Sequence, residues 1–527
     1  MSVGGKIAFI VRKKTSDYPV CVEALRALEV PWGFSVELVT VEAGESIAAD
    51  RQMGMHRCCA DYKIYLEDNA VILDEKLLSK IIDVFQNNKH IGLIGVAGTN
   101  IVPTSGVSIH SPKLLGEIYD EYSRKVVGNT FTGNCQTVKA VIGFVMATQY
   151  DLDWPVFFDG NVFYDTAYSL EYQRQGYSCA VLNMSYPLVW KGSLDITANR
   201  QEQDLFLDQY SSDLYPLVSV IIPSYQRPHY LEEAINSVLN QTYRNLDVFV
   251  SDRSYDKDSE IMVKDKFSSE SRLHYVHNPQ FNRKEFYDYN DAYDNPKAEY
   301  VNWLMDDDLF AQEKIARMID VYRKFPNVSL VTSYRKCIDS KGDILPDLPY
   351  TAPLSPNSFR APGKAFAKIM LLNQMNIIGE LSTCLIKKEY LHDGRIGCFK
   401  SEILNALSDV TTWIHMCSCG DVVYLNEPLS YFRTHDGQDQ YNPRAMILCV
   451  IYWALLLDYD QKYTDFLENK EDKNMAMKKW LKIAATAAIE VKAGVDDLEY
   501  GIFKKIFSHV AQAFAGEKEL DLGIYYK

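Results

Sequence analysis

Leu217-Val218-Ser219-Val220-Ile221-Ile222-Pro223 is a short β-branched run closed by proline, and the Ser224-Tyr225-Gln226-Arg227-Pro228 that follows is polar. From about Leu231 to Asn240 the pattern becomes helical, with Ala234, Ile235 and Val238 on one face. Leu246-Asp247-Val248-Phe249-Val250 then forms a second apolar run ending at Ser251-Asp252-Arg253-Ser254. Strand, helix and strand in this order predict an α/β sheet, and polar loops at the carboxyl ends of its strands are where such sheets bind ligands.

Downstream, Asn302-Trp303-Leu304-Met305-Asp306-Asp307-Asp308-Leu309 is a strand-like run that ends in three carboxylates. Adjacent acids repel and gain proton affinity unless a cation or hydrogen-bond donors share the site. One reading is a metal-diphosphate site, since Mg²⁺ and Mn²⁺ favour carboxylate and phosphate oxygens. The other is an acidic turn in which Asp308 caps a helix whose apolar face is Ile315, Met318, Ile319 and Tyr322. Val328–Ser333 reads as a strand, and the proline-rich stretch from Ser340 to Pro362 as a long loop that covers a site or is mobile. Leu404 to Val410 places Asp409 near the start of a helix, Val422–Leu425 is a strand, and Tyr431–Asp436 is a cationic loop. From about Asn442 the periodicity is helical, and the face made by Phe503, Ile506, Phe507, Val510 and Phe514 suits packing on the preceding domain or a membrane or partner surface.

Upstream, strand-like runs at Ile7–Val11, Ser35–Val41, Tyr62–Leu66 and Ile91–Val96 alternate with amphipathic stretches such as Lys76–Phe85. Tyr62-Lys63-Ile64-Tyr65-Leu66-Glu67-Asp68-Asn69 repeats the design of the acidic run, an apolar strand entering acids. The expected fold class is therefore α/β with mixed, mainly parallel sheets in two domains, followed by a helical region. The boundaries are placed at residues 1–212, 213–440 and 441–527.

With 527 residues the chain exceeds a single ordinary core, and its net charge of −15 disfavours nucleic acid as a partner. No secretory pattern opens it, and the longest apolar run, Ala445–Leu457, is too short to span a bilayer. Its 11 scattered cysteines lack convincing metal spacing, so reduced, packed thiols and a cytoplasmic location are expected. Peripheral membrane contact and homo-oligomerisation stay open.

Taken in order, Val218 to Arg227, Ser237-Val238-Leu239-Asn240-Gln241-Thr242-Tyr243, the Asp252 turn, Ala298-Glu299-Tyr300-Val301 and Asp306-Asp307-Asp308 resemble the family 2 glycosyltransferases of the GT-A fold over residues 217–436. The resemblance implies an inverting, metal-dependent transfer of sugar from a nucleotide-diphosphate sugar, UDP-linked by preference, to a hydroxyl of a glycan, lipid-linked or protein acceptor. In that reading Pro223, Tyr225 and Arg227 line the nucleotide pocket, Asp252 accepts from the base, and Arg283 or Lys284 adds a basic contact to the donor. Asp307 is the leading ligand for Mn²⁺ or Mg²⁺, joined by Asp308 and His435, while Asp306 meets ribose or a metal-bound water and Arg433 adds charge near the diphosphate. Asp409 matches the catalytic base. Met305 stands where the family usually has its first acid, and Ser251 where an aspartate is common.

The first half resembles a bacterial glycosyltransferase-like domain through Lys63 to Asn69, Ile91 to Gly98 and Phe163-Tyr164-Asp165. It has Ile142-Gly143 where that type carries an acid before glycine. Glu67, Asp68 and Asn69 are candidates for a second site. A bifunctional transferase and a non-catalytic sugar-nucleotide scaffold are the alternatives, and a role in bacterial surface glycan synthesis is the family's usual business.

Overall fold

The computed structural model describes residues 4–157, 161–279, 297–391, 395–399, 402–403, 407–435, 443–490 and 497–523. It divides into two compact units, Met1–Tyr215 and Pro216–Lys527. Each is α/β, and the second also contains the C-terminal helices.

In the first unit the main strands are β1 (Lys6–Lys13), β2 (Ser35–Glu42), β3 (Tyr62–Glu67), β4 (Ile91–Gly95), β5 (Cys135–Val138), β6 (Val145–Thr148) and β7 (Ser178–Leu182). They form one sheet in the order β5-β7-β4-β6-β3-β1-β2. Helices α1 (Ile47–His56), α2 (Leu77–Asn87) and α3 (Tyr164–Arg174) connect them. β1 is buried along its apolar length because it lies between parallel neighbours with a covered sheet face, which explains its unbroken Ile-Ala-Phe-Ile-Val run.

The second unit has β8 (Val218–Ser224), β9 (Leu246–Asp252), β10 (Leu273–His277), β11 (Tyr300–Trp303), β12 (Val328–Ile338), β13 (Leu385–Lys387) and β14 (Asp421–Arg433). Their order is β10-β9-β8-β11-β13-β12-β14. Helix α4 (Pro228–Leu239) opens with proline, whose missing N–H costs nothing in a first turn, and buries Leu231, Ala234, Ile235 and Val238. Helix α5 (Lys314–Lys324) follows the acidic cluster, and α6 (Ser408–Cys419) precedes β14.

The echo seen in the acidic strands extends to the whole sheet. β2-β1-β3-β6-β4-β7 and β9-β8-β11-β13-β12-β14 occur in the same chain order. Their neighbouring pairs also match in direction: parallel, parallel, antiparallel, antiparallel, parallel. In each unit a helix, α3 or α6, leads into the last of these strands. The ladder pairs Ile7 with Tyr62 in the first unit and Val218 with Tyr300 in the second. That register places Asp68 at the position of Asp306, Asn69 at that of Asp307 and Glu67 at that of Met305.

Two expected loops are partly strand. Ile344–Leu345 pairs with β12 and Phe359–Pro362 with β14, so both ends of the proline-rich stretch are tied to the sheet. The expected cationic loop starts late, because β14 stays paired with β12 through Ile338 and Arg433. Helices α7 (Pro443–Tyr459), α8 (Lys470–Glu490) and α9 (Asp497–Phe514) complete the unit. Phe503, Ile506 and Val510 share one core with Trp413, Met370, Trp453 and Trp480, which occupies the apolar face of α9. Among the described residues no helix is long and apolar enough to cross a membrane, and no cysteine is in a disulfide.

Candidate functional site

The acidic run leaves β11 as a tight turn at the carboxyl end of the sheet. Asp306 accepts from the backbone N–H of Tyr225 at 3.1 Å, which ties it to the loop after β8. Arg227, on the same loop, donates to Asp306 at 3.3 Å and to Asp307 at 2.9 Å. The loop can fold back because Gln226 adopts φ 56°, with its N–H bonded to Ser254 Oγ at 2.7 Å. His435 Nε2 meets Asp307 Oδ2 at 3.0 Å.

Asp308 points the other way. Its two oxygens accept from Ser382 Oγ at 2.6 Å and from the N–H of Arg433 at 3.0 Å, so it stitches the turn to β14. It does not cap α5, whose cap position is Glu313. Burial, reinforced by Asp307, raises the proton affinity of both Asp306 and Asp308.

Arg433 is fully buried and does not reach toward solvent. Its guanidinium donates to the carbonyls of Asp307 at 2.7 Å and Asp339 at 3.1 Å, pairs with Glu233, and lies 4.6 Å from the Tyr230 ring. Extension of β14 places this side chain under the acidic turn. Its contacts describe support of the turn, in contrast to the diphosphate contact the resemblance implied.

Asp252 ends β9 and is wholly buried. One oxygen accepts from the N–H of Ser254 at 2.9 Å and from its hydroxyl, and the other accepts from Tyr275 OH at 2.5 Å. The Tyr225 and Tyr255 rings meet edge to face at 5.7 Å beside this turn. Pro223 is half-buried at the end of β8. Arg283 and Lys284 lie outside the described residues.

Asp409 stands in the first turn of α6, partly exposed. Its oxygens accept from its neighbour Val410 N–H at 2.7 Å and from Asn376 Nδ2 at 2.9 Å. Desolvation, with Glu380 adding negative charge, pushes its carboxyl up to about 6. A single segment links it to the acidic turn: Asn376 holds Asp409, Trp413 Nε1 donates to Gly379 O at 2.8 Å, and Ser382 holds Asp308. Glu380 is balanced by the guanidinium of Arg335. Sequence reasoning missed Asn376, Ser382 and Tyr275. Each is an ordinary polar residue far along the chain from the acid it serves, so no local pattern marks it.

The charges of the site do not balance. Asp306 and Asp307 share Arg227, His435 meets Asp307 alone, and a divalent cation is the group that closely set carboxylates suit. Asp307 and His435 would be its protein ligands, the cation taking the place of the proton that His435 Nε2 directs at Asp307. Among the described residues no three His, Cys, Asp or Glu side chains form a metal cluster. A cation held here would therefore complete its shell with substrate phosphate and water.

In the first unit the corresponding acids are locked inward. Asp68 accepts from the N–H groups of Lys14 at 2.7 Å and Thr15 at 2.5 Å, as Asp306 does from Tyr225. Glu67 pairs with Arg12 at 3.3 Å and Arg51 at 3.2 Å, and Arg12 also binds Asp50 at 2.7 Å. Arg51 donates to the carbonyl of Gly143 at 2.6 Å and stacks on Trp154 and Tyr164.

Residues 219–393 match the family model for glycosyl transferase family 2, and residues 8–210 match the model described as a glycosyltransferase-like family. The chain is thus built of two glycosyltransferase-family domains. It is 28% identical over 234 residues to an uncharacterised glycosyltransferase of Rickettsia conorii, a match covering 42% of this chain and 35% of that protein. It is 32% identical over 93 residues to the GalNAc(5)-diNAcBac-PP-undecaprenol beta-1,3-glucosyltransferase of Campylobacter jejuni, covering 18% of this chain and 30% of that protein. The structure of S. aureus TarS 1–349 in complex with UDP-GlcNAc aligns with a TM-score of 0.32 and 13% identity, over 57% of this chain and 92% of that one. The chain therefore spans about a third of the length of the first curated relatives it matches.

Proposed function

We propose that the second unit is an inverting, metal-dependent glycosyltransferase that moves a sugar from a nucleotide-diphosphate donor, UDP-linked by preference, to an acceptor hydroxyl. The observation that carries this reading is the convergence of Asp306, Asp307, Arg227 and His435 at the carboxyl ends of β8 and β11, joined by one segment to Asp409. Tyr225 offers an aromatic face to the base, and Asp252, with lone pairs left beyond Ser254 and Tyr275, accepts from its imide. Asp307 and His435 would hold Mn²⁺ or Mg²⁺, a cation that would supply charge neutralisation of the departing diphosphate. Arg227, which meets the same Asp307 oxygen as His435, shares that task.

Asp409 acts as general base. It takes the proton of the acceptor hydroxyl as that oxygen attacks the anomeric carbon opposite the nucleotide, and Asn376 keeps the carboxylate oriented. Its raised proton affinity suits it to accept a proton near neutral pH. The name of the C. jejuni relative supports a lipid-linked glycan as acceptor, a substrate that would bring this chain to a membrane surface from the cytoplasmic side.

The test is a panel of UDP-, GDP- and dTDP-sugars with Mn²⁺, run on wild type and Asp307→Ala. Turnover in the first and none in the second is expected; equal turnover in both would remove Asp307 from the site. No turnover of any donor together with no nucleotide binding by calorimetry would overturn the catalytic reading altogether.

A further inference from the structure

Glu380 is the one charged residue between Asn376 and Ser382, the segment that joins Asp409 to the acidic turn. The Asn376 amide donates to the Asp409 carboxylate and to the carbonyl of Gly379, both at 2.9 Å. Trp413 of α6 donates to that same carbonyl at 2.8 Å. The peptide that leads into Glu380 is therefore two hydrogen bonds away from the Asp409 carboxylate. Glycine is required just before it: Gly379 adopts φ 116°, and a Cβ there would meet the Thr383 hydroxyl at 2.7 Å.

Arg335 of β12 fixes the Glu380 carboxylate. Its Nε and Nη2 donate to the two carboxylate oxygens, Nη2 at 3.0 Å, and Nη2 also reaches the carbonyl of Tyr350 at 2.7 Å, which ties the proline-rich stretch to the same fork. Thr383 Oγ1 donates to Oε2 at 3.4 Å. Among the described residues Oε1 accepts from Arg335 alone, so it keeps a lone pair. The guanidinium is buried, whereas the Glu380 side chain is 26% exposed. A carboxylate clamped in this way and open to solvent has little freedom left to lose when a ligand hydroxyl arrives.

The first unit has no such group. Lys63 pairs with Thr148 in its ladder as Val301 pairs with Ile386, and the residues six before these partners, Ile142 and Glu380, correspond. Asp165 stands in the first turn of α3 as Asp409 does in α6. Asp165 is buried, accepting from the N–H groups of Thr166 at 2.6 Å and Gly143 at 2.8 Å, whereas Asp409 is partly exposed. The unit whose donor-side acids are locked inward thus also lacks a second open carboxylate beside this helix.

We propose that Glu380 is an acceptor-binding residue: oriented by Arg335, its carboxylate receives a second hydroxyl of the acceptor sugar while Asp409 receives the attacking one. The proposal rests on the reading of Asp409 as general base. Two carboxylates that both accept hydroxyls select a neutral sugar ring and repel one that carries a carboxylate or phosphate at those positions.

Saturation-transfer NMR on the full chain with UDP and Mg²⁺ tests this. The probes are methyl glycosides of glucose, galactose, mannose, N-acetylglucosamine and N-acetylgalactosamine, followed by the monodeoxy derivatives of whichever binds. Wild type is expected to bind at least one glycoside and to lose about tenfold in affinity when the hydroxyl that meets Glu380 is absent. Glu380→Gln should bind the parent glycoside about tenfold more weakly and no longer distinguish it from that deoxy sugar, with UDP affinity by calorimetry held within about twofold. The Arg335→Met, Glu380→Gln double variant leaves no buried charge unpaired and is expected to behave alike, which keeps the test intact if the single variant does not fold. Binding of no glycoside, or a Glu380→Gln chain that binds and discriminates as wild type does, would overturn the proposal. UDP affinity in the same samples reports on the donor site independently, and failure of the second unit to turn over any donor is read separately, in the sugar-nucleotide panel.

Discussion

The two units share a sheet, a chain order and the position of two carboxylates, yet they treat charge in opposite ways. In the first, Glu67 and Asp50 are matched by Arg12 and Arg51, and Asp68 is absorbed by the loop after β1. In the second, Met305 replaces the glutamate, Arg433 supports the turn through backbone carbonyls, and the acids advance by one residue to Asp307, which meets Arg227 and His435. The difference teaches that the scaffold sets where an acid emerges, while its neighbours decide whether it is spent on holding the fold or left to hold a ligand.

The sharpest way to break this contrast is to remove Asp307 and Asp68 in turn. Asp307→Ala is expected to lower kcat/KM by about 10³-fold or more, as loss of a group that meets the diphosphate charge does. Asp68→Ala should act on stability, about 1–3 kcal/mol by chemical denaturation, because it removes the acceptor of two partly buried N–H donors. If Asp68→Ala instead abolished transfer and left the unfolding midpoint unchanged, both units would be active centres.

Asp409→Asn comes next. A general base contributes roughly 10²–10⁴-fold, so kcat should fall in that range while donor affinity, followed by calorimetry, holds within about twofold. Strong transfer by this variant would point to another base.

A smaller effect is expected from pH. The Asp409 carboxyl is pushed up to about 6, and the base must be ionised, so transfer should fall about tenfold per pH unit below that value and level off above it. Stability has the opposite sign. Asp409 and Asp165 are both raised to about 6 in the folded chain, above the usual carboxylate range near 4. Between those values the folded state binds more protons than the unfolded, so their contribution is complete at low pH and is lost as pH rises through about 6. Asp165→Asn and Asp409→Asn should each flatten that slope in thermal-melt series taken from pH 4 to 7.

The smallest expected change is at Asn376. Asn376→Ala leaves Asp409 in place and removes the amide that orients it, so kcat should fall roughly tenfold with the pH midpoint moved upward, because that hydrogen bond favours the charged form. A pH profile that did not move would make Asn376 a purely structural residue.

The sequence by itself determined the elements and the acids. Short apolar runs closed by proline or acid, too short for a helix, read as buried strands, and Val218–Ile222, Leu246–Val250 and Tyr62–Leu66 are such strands. Adjacent carboxylates announce unbalanced charge wherever they occur, which is why Asp306-Asp307-Asp308 and Asp68 were visible without a structure. Tertiary structure alone decided which acids face outward. Asp308 is turned in by Ser382, Arg433 is drawn beneath the turn by the last pairs of β14, and Asp409 is held by Asn376. It alone also revealed that Asp165 and Asp409 hold one position, because that equivalence is written in strand pairing between distant segments, which local periodicity does not encode.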